Sequence, residues 1–218
     1  GDVVIDNGTT ALDLGASTIS GTLSATSGAA AGIVDSGNIA VSGDVTLTTD
    51  ANNGVINVGT LQQSGGDLVL TTNGSGDATV VNNAAIDVGT SSVGGALSAT
   101  ASAGTITQNG GALTVAGTSA FTSGANAITL SHASNDFTGA VSLSNSGTND
   151  VALTDADALD LGTVDVGQNL TITTSGAISD SGVVTVAGTT TFDNSGGSSA
   201  AILLDSESTY TGNVSFTT

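Results

Sequence analysis

The chain repeats itself with a period of about 73 residues, and chains with such a fixed period fold as stacked arrays. The motif Ala-x-Asp-x-Gly at 11–15 returns at 85–89 and again at 158–162, at nearly equal intervals. This period constrains the fold more than any local feature does, because each unit buries its apolar face only against its neighbours. The sequence therefore predicts one continuous array over 1–218, with units at 1–75, 76–148 and 149–218.

A shorter sequence repeat lies inside each unit. A glycine that is followed by alternating apolar positions recurs along the whole chain, at Gly21, Gly43, Gly66, Gly95, Gly117, Gly139, Gly167, Gly188 and Gly212. Alternation of apolar and small polar residues, as in Val-Thr-Leu-Thr at 45–48, is typical of a strand with one buried face.

These patterns predict an all-β, parallel and right-handed β-solenoid of about nine coils of about 21–29 residues. Three coils make one unit of about 73 residues. The two longest intervals between successive repeat glycines run from Gly66 to Gly95 and from Gly139 to Gly167, and they predict an enlarged coil in each unit.

The phase of the apolar positions predicts the core of this solenoid. The first apolar residue after most of the repeat glycines should point inward, and these residues are Leu23, Val45, Leu68, Leu97, Val141, Leu170 and Val214. Proline is absent, as expected where nearly every strand N–H pairs with the next coil. The large aromatic rings keep the same phase and are interpreted as core residues.

The charge of the chain restricts its partners. There are 19 acidic residues and no lysine or arginine, so the formal net charge is −19. Spread over a rod of about 43 Å, this density approaches that of duplex DNA. Nucleic acids and anionic membranes are therefore not expected as partners, whereas cations and basic protein surfaces are. No apolar run is long enough to cross a bilayer, so membrane insertion is not expected either.

The densest acidic region is the candidate metal site. Calcium prefers six to eight oxygen ligands, and carboxylates are concentrated at Asp150, Asp155, Asp157, Asp160 and Asp165. Calcium is the one cofactor that this pattern suggests. The aspartate that recurs in each unit has a simpler interpretation, in which its carboxylate accepts backbone N–H groups in a turn; it stands at Asp13, Asp87 and Asp160.

Enzymatic activity is not expected. Parallel β-helix enzymes that cleave acidic polysaccharides need basic residues, which are absent, and His132 is the only histidine. Carboxylate pairs hydrolyse glycosides, but an aspartate present in every unit is typical of architecture. Ice binding needs a flat ladder of Thr-x-Thr motifs, and those at 46–48, 105–107 and 171–173 do not keep a constant phase.

Several longer phrases resemble a known group of proteins. Leu-Thr-Ile-Thr at 170–173, Gly-Ala-Ile-Ser-Asp-Ser-Gly at 176–182, Val-Ala-Gly-Thr-Thr-Thr-Phe at 186–192 and Tyr-Thr-Gly-Asn-Val-Ser-Phe at 210–216 are similar to bacterial large exoproteins of the filamentous-haemagglutinin-like, β-strand-repeat type. The resemblance implies secretion and a role at the cell surface in adhesion, aggregation or biofilm matrix.

The sequence thus predicts the structural shaft or filament of an extracellular bacterial surface protein. The expected partners are further copies of the chain, assembled into fibres, and other cell-surface or matrix molecules. Because neither end of the sequence carries a recognisable polar cap, we expect it to be an excerpt of a longer array. The alternative function is a cation-dependent (calcium) or ice-binding solenoid module.

Overall fold

The computed structural model describes residues 1–197 and 200–218, apart from the side chain of Asn52, and its regular structure in these ranges is 28 short strands. In chain order they are β1 (Val3–Asp6), β2 (Leu12–Leu14), β3 (Ser17–Ile19), β4 (Leu23–Ser27), β5 (Ile33–Asp35), β6 (Ile39–Val41), β7 (Val45–Asn52), β8 (Ile56–Gln63), β9 (Leu68–Asn73), β10 (Ala78–Asn82), β11 (Ile86–Asp87), β12 (Ser91–Val93), β13 (Leu97–Ala101), β14 (Ile106–Thr107), β15 (Leu113–Val115), β16 (Ser119–Thr122), β17 (Ile128–Leu130), β18 (Asp136–Phe137), β19 (Val141–Ser144), β20 (Val151–Asp155), β21 (Leu159–Val166), β22 (Leu170–Thr174), β23 (Ile178–Asp180), β24 (Val184–Val186), β25 (Thr190–Asp193), β26 (Ile202–Leu203), β27 (Thr209–Tyr210) and β28 (Val214–Thr217). Within the described ranges, no helix is long and apolar enough to span a membrane.

The strands form three parallel sheets that run along the sides of a solenoid. The first sheet has the order β1-β4-β7-β9-β12-β15-β18, and the third has the order β11-β14-β17-β20-β22-β25-β28. The second sheet follows the path β2-β5-β8-β10-β13-β16-β19-β21-β23-β26, with β3, β6, β24 and β27 beside it. That path climbs through ten successive coils, so the rod is about 48 Å long at the usual strand spacing. The path changes side at β21, because residues 164–166 continue the side of β19 toward β24, whereas residues 159–161 lie on the preceding side and lead to β23 and β26. The predicted parallel β-solenoid is confirmed.

The coils are shorter and more numerous than the sequence predicted. Hydrogen-bonded residues of adjacent coils are 19 positions apart at Asp77 and Ala96, and 24 positions apart at Val184 and Ser208. The strands β8 and β21 each cover two sides, because each pairs with two different strands of a neighbouring coil. The described strands therefore make thirty segments, ten to each unit. A three-sided solenoid takes three segments to a coil, so one unit makes three and one third coils rather than three.

Because a unit makes one third of a coil more than three whole coils, equivalent strands of successive units lie on successive sides of the rod. The strands that follow the repeat glycines are β4, β7 and β9 in the first sheet for unit 1, and β13, β16 and β19 in the second sheet for unit 2. In unit 3 they are β22, β25 and β28, which belong to the third sheet. The two long intervals between repeat glycines, from Gly66 to Gly95 and from Gly139 to Gly167, are therefore not enlarged coils. Each is an ordinary coil plus the passage to the next side.

The core lies where the alternation placed it. Six of the seven residues predicted to point inward are buried, and the seventh, Val214, is half-buried because it lies in the last coil. The rings of Phe121, Phe137 and Phe192 are fully buried, and the first two meet edge to face with centroids 6.1 Å apart. Aromatic rings thus fill part of a column of small aliphatic side chains.

Within a unit, successive repeat glycines stack directly on one another at a corner of the solenoid, as Gly43 does on Gly21 and Gly117 on Gly95. The N–H of Gly117 donates to the carbonyl of Gly95 at 2.9 Å. A Cβ added to Gly117 would lie 2.6 Å from the carbonyl carbon of Gly95, and one on Gly139 would lie 2.5 Å from the oxygen of Gly117. At these corners the backbones of successive coils approach too closely for a residue with a side chain, which explains why glycine recurs there in the sequence.

Buried polar side chains at the strand ends hold the turns that leave each side. The hydroxyls of Thr49, Thr72 and Thr174 donate to the carbonyls of Gly54, Gly76 and Gly176 at 2.8, 2.7 and 2.8 Å. The amide of Asn145 does the same for the carbonyl of Asn149 at 3.0 Å. The corners thus satisfy turn carbonyls from inside the rod, as buried polar groups require.

A charge placed in the core should open the solenoid locally. Leu47 is buried and Thr46, its neighbour in β7, is only half-buried on the outer face. We expect Leu47→Asp to cost more than the about 2–5 kcal/mol of a buried Leu→Ala change, because no cation is present to pair with the carboxylate. Hydrogen exchange should accelerate in β4, β7 and β9.

The matched control is Thr46→Asp, which adds the same charge on the outside and should leave exchange in these strands nearly unchanged. Equal protection in the two variants would show that the inner and outer faces of β7 are wrongly assigned.

Candidate functional site

The five aspartates of the acidic region lie on β20, on β21 and in the segments beside them. Asp155 ends β20 and is buried, whereas Asp157 and Asp165 are exposed. Asp150 precedes β20, and Asp160 is half-buried in β21. Asp155 therefore faces the interior of the rod, whereas the other four carboxylates lie wholly or partly on its outer surface.

Asp150 acts as a link between coils. Its Oδ1 accepts the backbone N–H of Asn169 at 3.1 Å and the side-chain Nδ2 of the same residue at 2.9 Å. The equivalent residues in the other units do the same, since Asp2 accepts from Thr22 N–H and Asp77 accepts from Ala96 N–H. The recurrence of this aspartate therefore has a structural cause.

Asp155 takes a buried corner position that asparagine occupies in the other two units. Its Oδ1 accepts the N–H of Phe137 at 3.0 Å, but its Oδ2 is enclosed without a hydrogen-bond partner. Asn82 stands at the equivalent position, where its Oδ1 accepts the N–H of Gln63 at 2.8 Å. Its Nδ2 donates to the carbonyls of Gln63 and Ala85 at 3.0 and 2.7 Å. A carboxylate can copy the first of these bonds and not the others.

The surroundings of Asp155 favour its neutral form. Burial raises the pKa of Asp155 to about 6, and the nearby carboxylates of Asp157 and Asp136 act in the same direction. The backbone N–H of Phe137 opposes this increase by stabilising the ionised form. A protonated Asp155 would carry the donor that the amide of Asn82 supplies.

The predicted five-aspartate calcium site is not assembled. In residues 1–197 and 200–218, no three acidic or histidine side chains come together in a group that could hold a metal ion. Asp155 points into the corner, Asp150 is bound to Asn169, and one oxygen of Asp160 is enclosed without a partner. The five carboxylates are close in the sequence, but one is buried and four are at the surface, on strands of more than one side.

The aspartate of the Ala-x-Asp-x-Gly motif has no single role. Asp87 accepts the N–H of Asn109 at 2.9 Å and its side-chain amide at 2.6 Å, as the turn interpretation predicts. Asp13 is exposed, and Asp160 is half-buried with one oxygen unpartnered. The rotation of the units gives the motif different surroundings, since it lies on β2, on β11 and on the first half of β21, which are three different sides of the rod.

Sequence reasoning missed a row of acidic residues along the rod. Asp44 and Asp67 lie in adjacent coils, and Asp44 Oδ1 accepts the N–H of Asp67 at 3.0 Å. Burial raises the pKa of Asp67, and the charges of Asp87 and Asp44 raise it further. These residues are far apart in the sequence, so only the true coil length reveals that they are neighbours. We call Asp44, Asp67 and Asp87 the acidic row.

Two other candidate features are accounted for by local structure. The imidazole Nδ1 of His132 accepts the N–H of Ser134 at 3.2 Å, which is a contact within its own turn. The Thr-x-Thr motifs do not stack, because those at 46–48 and 171–173 lie in the first and third sheets. In the coil after the second motif, Thr191 and Asp193 take the places above Thr171 and Thr173, so an aspartate interrupts the ladder.

The fold defines a parallel β-solenoid repeat protein, and comparison with known proteins assigns it to a family. The chain matches the family described as repeats of unknown function (DUF5649) at 1–57, 75–144 and 148–217, and it belongs to this family. The match identifies the repeat alone and does not name filamentous-haemagglutinin-like proteins. No curated protein and no solved structure matches the chain.

Replacing Asp155 by asparagine should stabilise the protein at neutral pH. The amide would copy Asn82 and satisfy the enclosed position, so we expect about 1–3 kcal/mol of added stability at pH 7–8. A raised pKa in the folded state means that wild-type stability falls as pH rises from about 4 through about 6, and the variant lacks this loss.

The advantage of Asp155→Asn in thermal unfolding should therefore be constant above about pH 7 and should shrink as pH falls toward 4. Asp157→Asn removes the same charge from an exposed position and is the control. A gain that is equal at all pH values, or equal in both variants, would contradict the role assigned to the buried carboxylate.

Cations should stabilise the rod by screening the acidic row. Since Asp67 is repelled by Asp44 and Asp87, we expect Asp67→Asn to raise the melting temperature at low salt and to reduce its dependence on salt. We expect calcium to stabilise the wild type more than sodium does at matched ionic strength. Asp193→Asn is the control, because hydrogen bonds from Ser195 hold the pKa of Asp193 below its usual value.

Identical melting curves in calcium and sodium at matched ionic strength, unchanged by a chelator, would contradict a specific effect of calcium. In that case diffuse screening alone would act on the row.

Proposed function

We propose that this chain is the structural shaft or filament of a secreted bacterial surface protein, which supports adhesion, aggregation or a biofilm matrix. The observation that carries this proposal is the continuous ladder of parallel strands, which passes through ten coils along one path of the second sheet. Each coil is bonded to the next over several sides, so the described chain is built as one rod. A rod of this kind suits projection and spacing.

The rotation of the units supports a multivalent role. Because each unit advances by one side, equivalent outer residues face about three directions within ten coils. A one-sided binding surface would need the same residues on the same side in every unit. Weak contacts presented all around a shaft add through avidity when several are made at once.

The absence of assembled chemistry in the described residues also supports a structural role. The groove beside Gln63, Asp87 and Thr107 has a volume of about 300 Å³ and is otherwise lined by small residues. Its one carboxylate, Asp87, is already bonded to Asn109. We therefore propose that the chain is not an enzyme and needs no cofactor, although the acidic row makes it responsive to cations.

The proposed location outside the cell rests on the sequence. The phrases at 170–173 and 210–216 resemble filamentous-haemagglutinin-like exoproteins, and a chain with no lysine or arginine offers trypsin-like proteases no site. The net charge of −19 keeps such rods soluble and favours contacts with cations and basic surfaces. These properties suit a protein that is exposed to its surroundings.

Surface labelling combined with removal of one whole unit tests this proposal. Antibodies against the repeat should label intact cells of the source bacterium. Deleting 76–148 should leave a folded shaft, because β20 can then pair with β8 as β10 does in the native chain. We expect this shaft to be about a third shorter and to support less adhesion or aggregation.

The matched control is deletion of 76–111, which removes about half a unit and breaks the register, so it should abolish folding rather than shorten the rod. Labelling that requires permeabilised cells, or aggregation that is unaffected by loss of the shaft, would contradict the proposed function.

A further inference from the structure

Buried side chains at the ends of strands close most corners of the rod from inside. Each of these residues has a hydroxyl or amide group that donates to a carbonyl of an adjoining turn, over 2.7–3.0 Å. Such donors lie on all three sides, and they are Ser27, Thr49, Thr72, Asn82, Ser123, Asn145, Thr174 and Asn194. A hydrogen-bond donor at this position is therefore a general feature of the described corners.

Asp155 occupies the same position at the end of β20, but its side chain has no donor when it is ionised. It is buried, and Thr174 lies directly above it in β22. The hydroxyl of Thr174 donates to the carbonyl of Gly176, so it is not available to Asp155. Oδ2 of Asp155 is consequently enclosed without a partner. Ala101, at the end of β13, also lacks a donor, but it has no polar side-chain atom to leave unpaired.

The second unit shows which carbonyl is left open beside Asp155. Asn82 donates to the carbonyl of Ala85, which lies three positions further on and begins the Ala-x-Asp-x-Gly motif. The residue three positions after Asp155 is Ala158, which begins the same motif in the third unit. An O–H on the carboxyl of Asp155 would take the place of the amide donor of Asn82, with the carbonyl of Ala158 as its acceptor.

We propose that the corner at residues 156–158 is a pH-operated latch of the rod, closed when the carboxyl of Asp155 is protonated and released when it is ionised. In the closed state, Oδ1 accepts the N–H of Phe137 in the coil below, and the protonated Oδ2 donates to the carbonyl of Ala158. Loss of the proton removes this donor and leaves a buried charge beside the carbonyl, which is costly unless the corner opens.

Opening of the latch leaves the rod continuous. On one side of the corner β20 pairs with β17 and β22, and on the other β21 pairs with β19 and β23. The released segment is therefore a short joint between two strands that stay in their sheets. This joint is a property of the rod itself and does not depend on where the rod is located.

The surroundings of the latch favour its closed form. Burial has the largest effect and, with the charges of Asp157 in the corner and Asp136 on β18, raises the pKa of Asp155 to about 6. The backbone N–H groups of Phe137 and Ala156 act in the opposite direction, because they stabilise the ionised carboxylate. The geometry and the electrostatics thus agree that a proton is held at this corner in mild acid.

Two other titratable side chains lie near the latch. Asp160 is on β21, which leaves the corner, whereas β17 and β22, the strands that pair with β20, have no titratable side chain. His132 lies in the turn of the coil below, where the carbonyl of Asn135 accepts the N–H of Ala156 at 2.7 Å. Because histidine side chains in general titrate near neutral pH, the experiment has to separate His132 from Asp155.

The direction of the pH effect follows from the raised pKa. The proton stabilises the closed corner, so opening is most costly below about pH 4, becomes easier as pH rises through about 6, and changes little above about pH 7. A pKa that is raised from 3.8 to about 6 allows the opening equilibrium to increase by up to about 100-fold over this range.

Amide hydrogen exchange, followed by NMR from about pH 4 to about pH 7, tests the latch. The reporter amides are those of Phe137 and Ala156, which contact the corner. After correction for the intrinsic effect of pH on exchange, we expect their protection to fall by about 10- to 100-fold as pH rises. The amides of Gln63 and Asn83 take the same places at the equivalent corner of the second unit and should show no such fall.

Exchanging the two corner residues locates the effect. Asp155→Asn supplies the missing donor, so the reporter amides should keep their high protection at every pH. Asn82→Asp removes the donor from the second unit, so it should transfer the pH dependence to the amides of Gln63 and Asn83. His132→Asn keeps a side-chain acceptor for the N–H of Ser134 and removes the imidazole, so it should retain the wild-type pH dependence.

Three results would overturn the proposal. The first is protection of the reporter amides that does not change with pH in the wild type, and the second is a pH dependence that persists in Asp155→Asn. The third is loss of the dependence in His132→Asn, which would assign the proton to the imidazole. A folded Asn82→Asp variant without pH dependence would overturn the role given to the missing donor. These outcomes are independent of the surface labelling that tests the proposed function.

Discussion

Hydrogen bonding between parallel strands of successive coils is the interaction on which the rest of this structure depends. It fixes the coil spacing at about 4.8 Å and places each residue directly over its partner in the coil below. Where the backbones meet at corners, only glycine fits, as the 2.6 Å approach at Gly117 shows. Where side chains point inward, they form apolar columns or clip turn carbonyls. Where they point outward, like residues stack, so carboxylates such as Asp44 and Asp67 become neighbours whose repulsion the ladder must withstand.

The mismatch between the unit and the coil is the second constraint. Ten strand segments on three sides give three and one third coils, so an outer residue returns to the same side only after three units. This gives the rod a helical arrangement of its surface features from a strictly linear repeat. It also means that inward and outward residues are constrained differently. An inward residue must pack against the residues of the coils above and below it, whereas an outward residue can recur in every unit without lying above its own copies. The aspartate of the Ala-x-Asp-x-Gly motif illustrates this. Asp87 accepts a hydrogen bond from Asn109, whereas its equivalent Asp13 is exposed.

The sequence predicted the fold class and most of the core, because period-2 alternation after a glycine reports the buried face directly. It did not predict the number of coils, because the spacing of the repeat glycines does not show where the chain passes from one side of the rod to another. The step from Gly66 to Gly95 resembles an enlarged coil, yet β9 and β13 lie in different sheets. For a related reason, the five aspartates of the predicted site do not form one group among the described residues. Proximity in the sequence grouped Asp155 with Asp160 and Asp165, whereas the coil groups Asp44 with the distant Asp67, and coil length is not visible in any single segment.

The direction of the hydrogen bonds also determines how such a rod bears load. They run along the axis, so compression and bending are resisted by the packed column, in which Phe121 and Phe137 lie among fully buried aliphatic side chains. Tension on the ends acts differently, because it loads the bonds of the terminal coil first and those of the next coil only after the first has opened. Stability in a solenoid is shared between nearest neighbours, so an end coil, which has one neighbour instead of two, is the weakest.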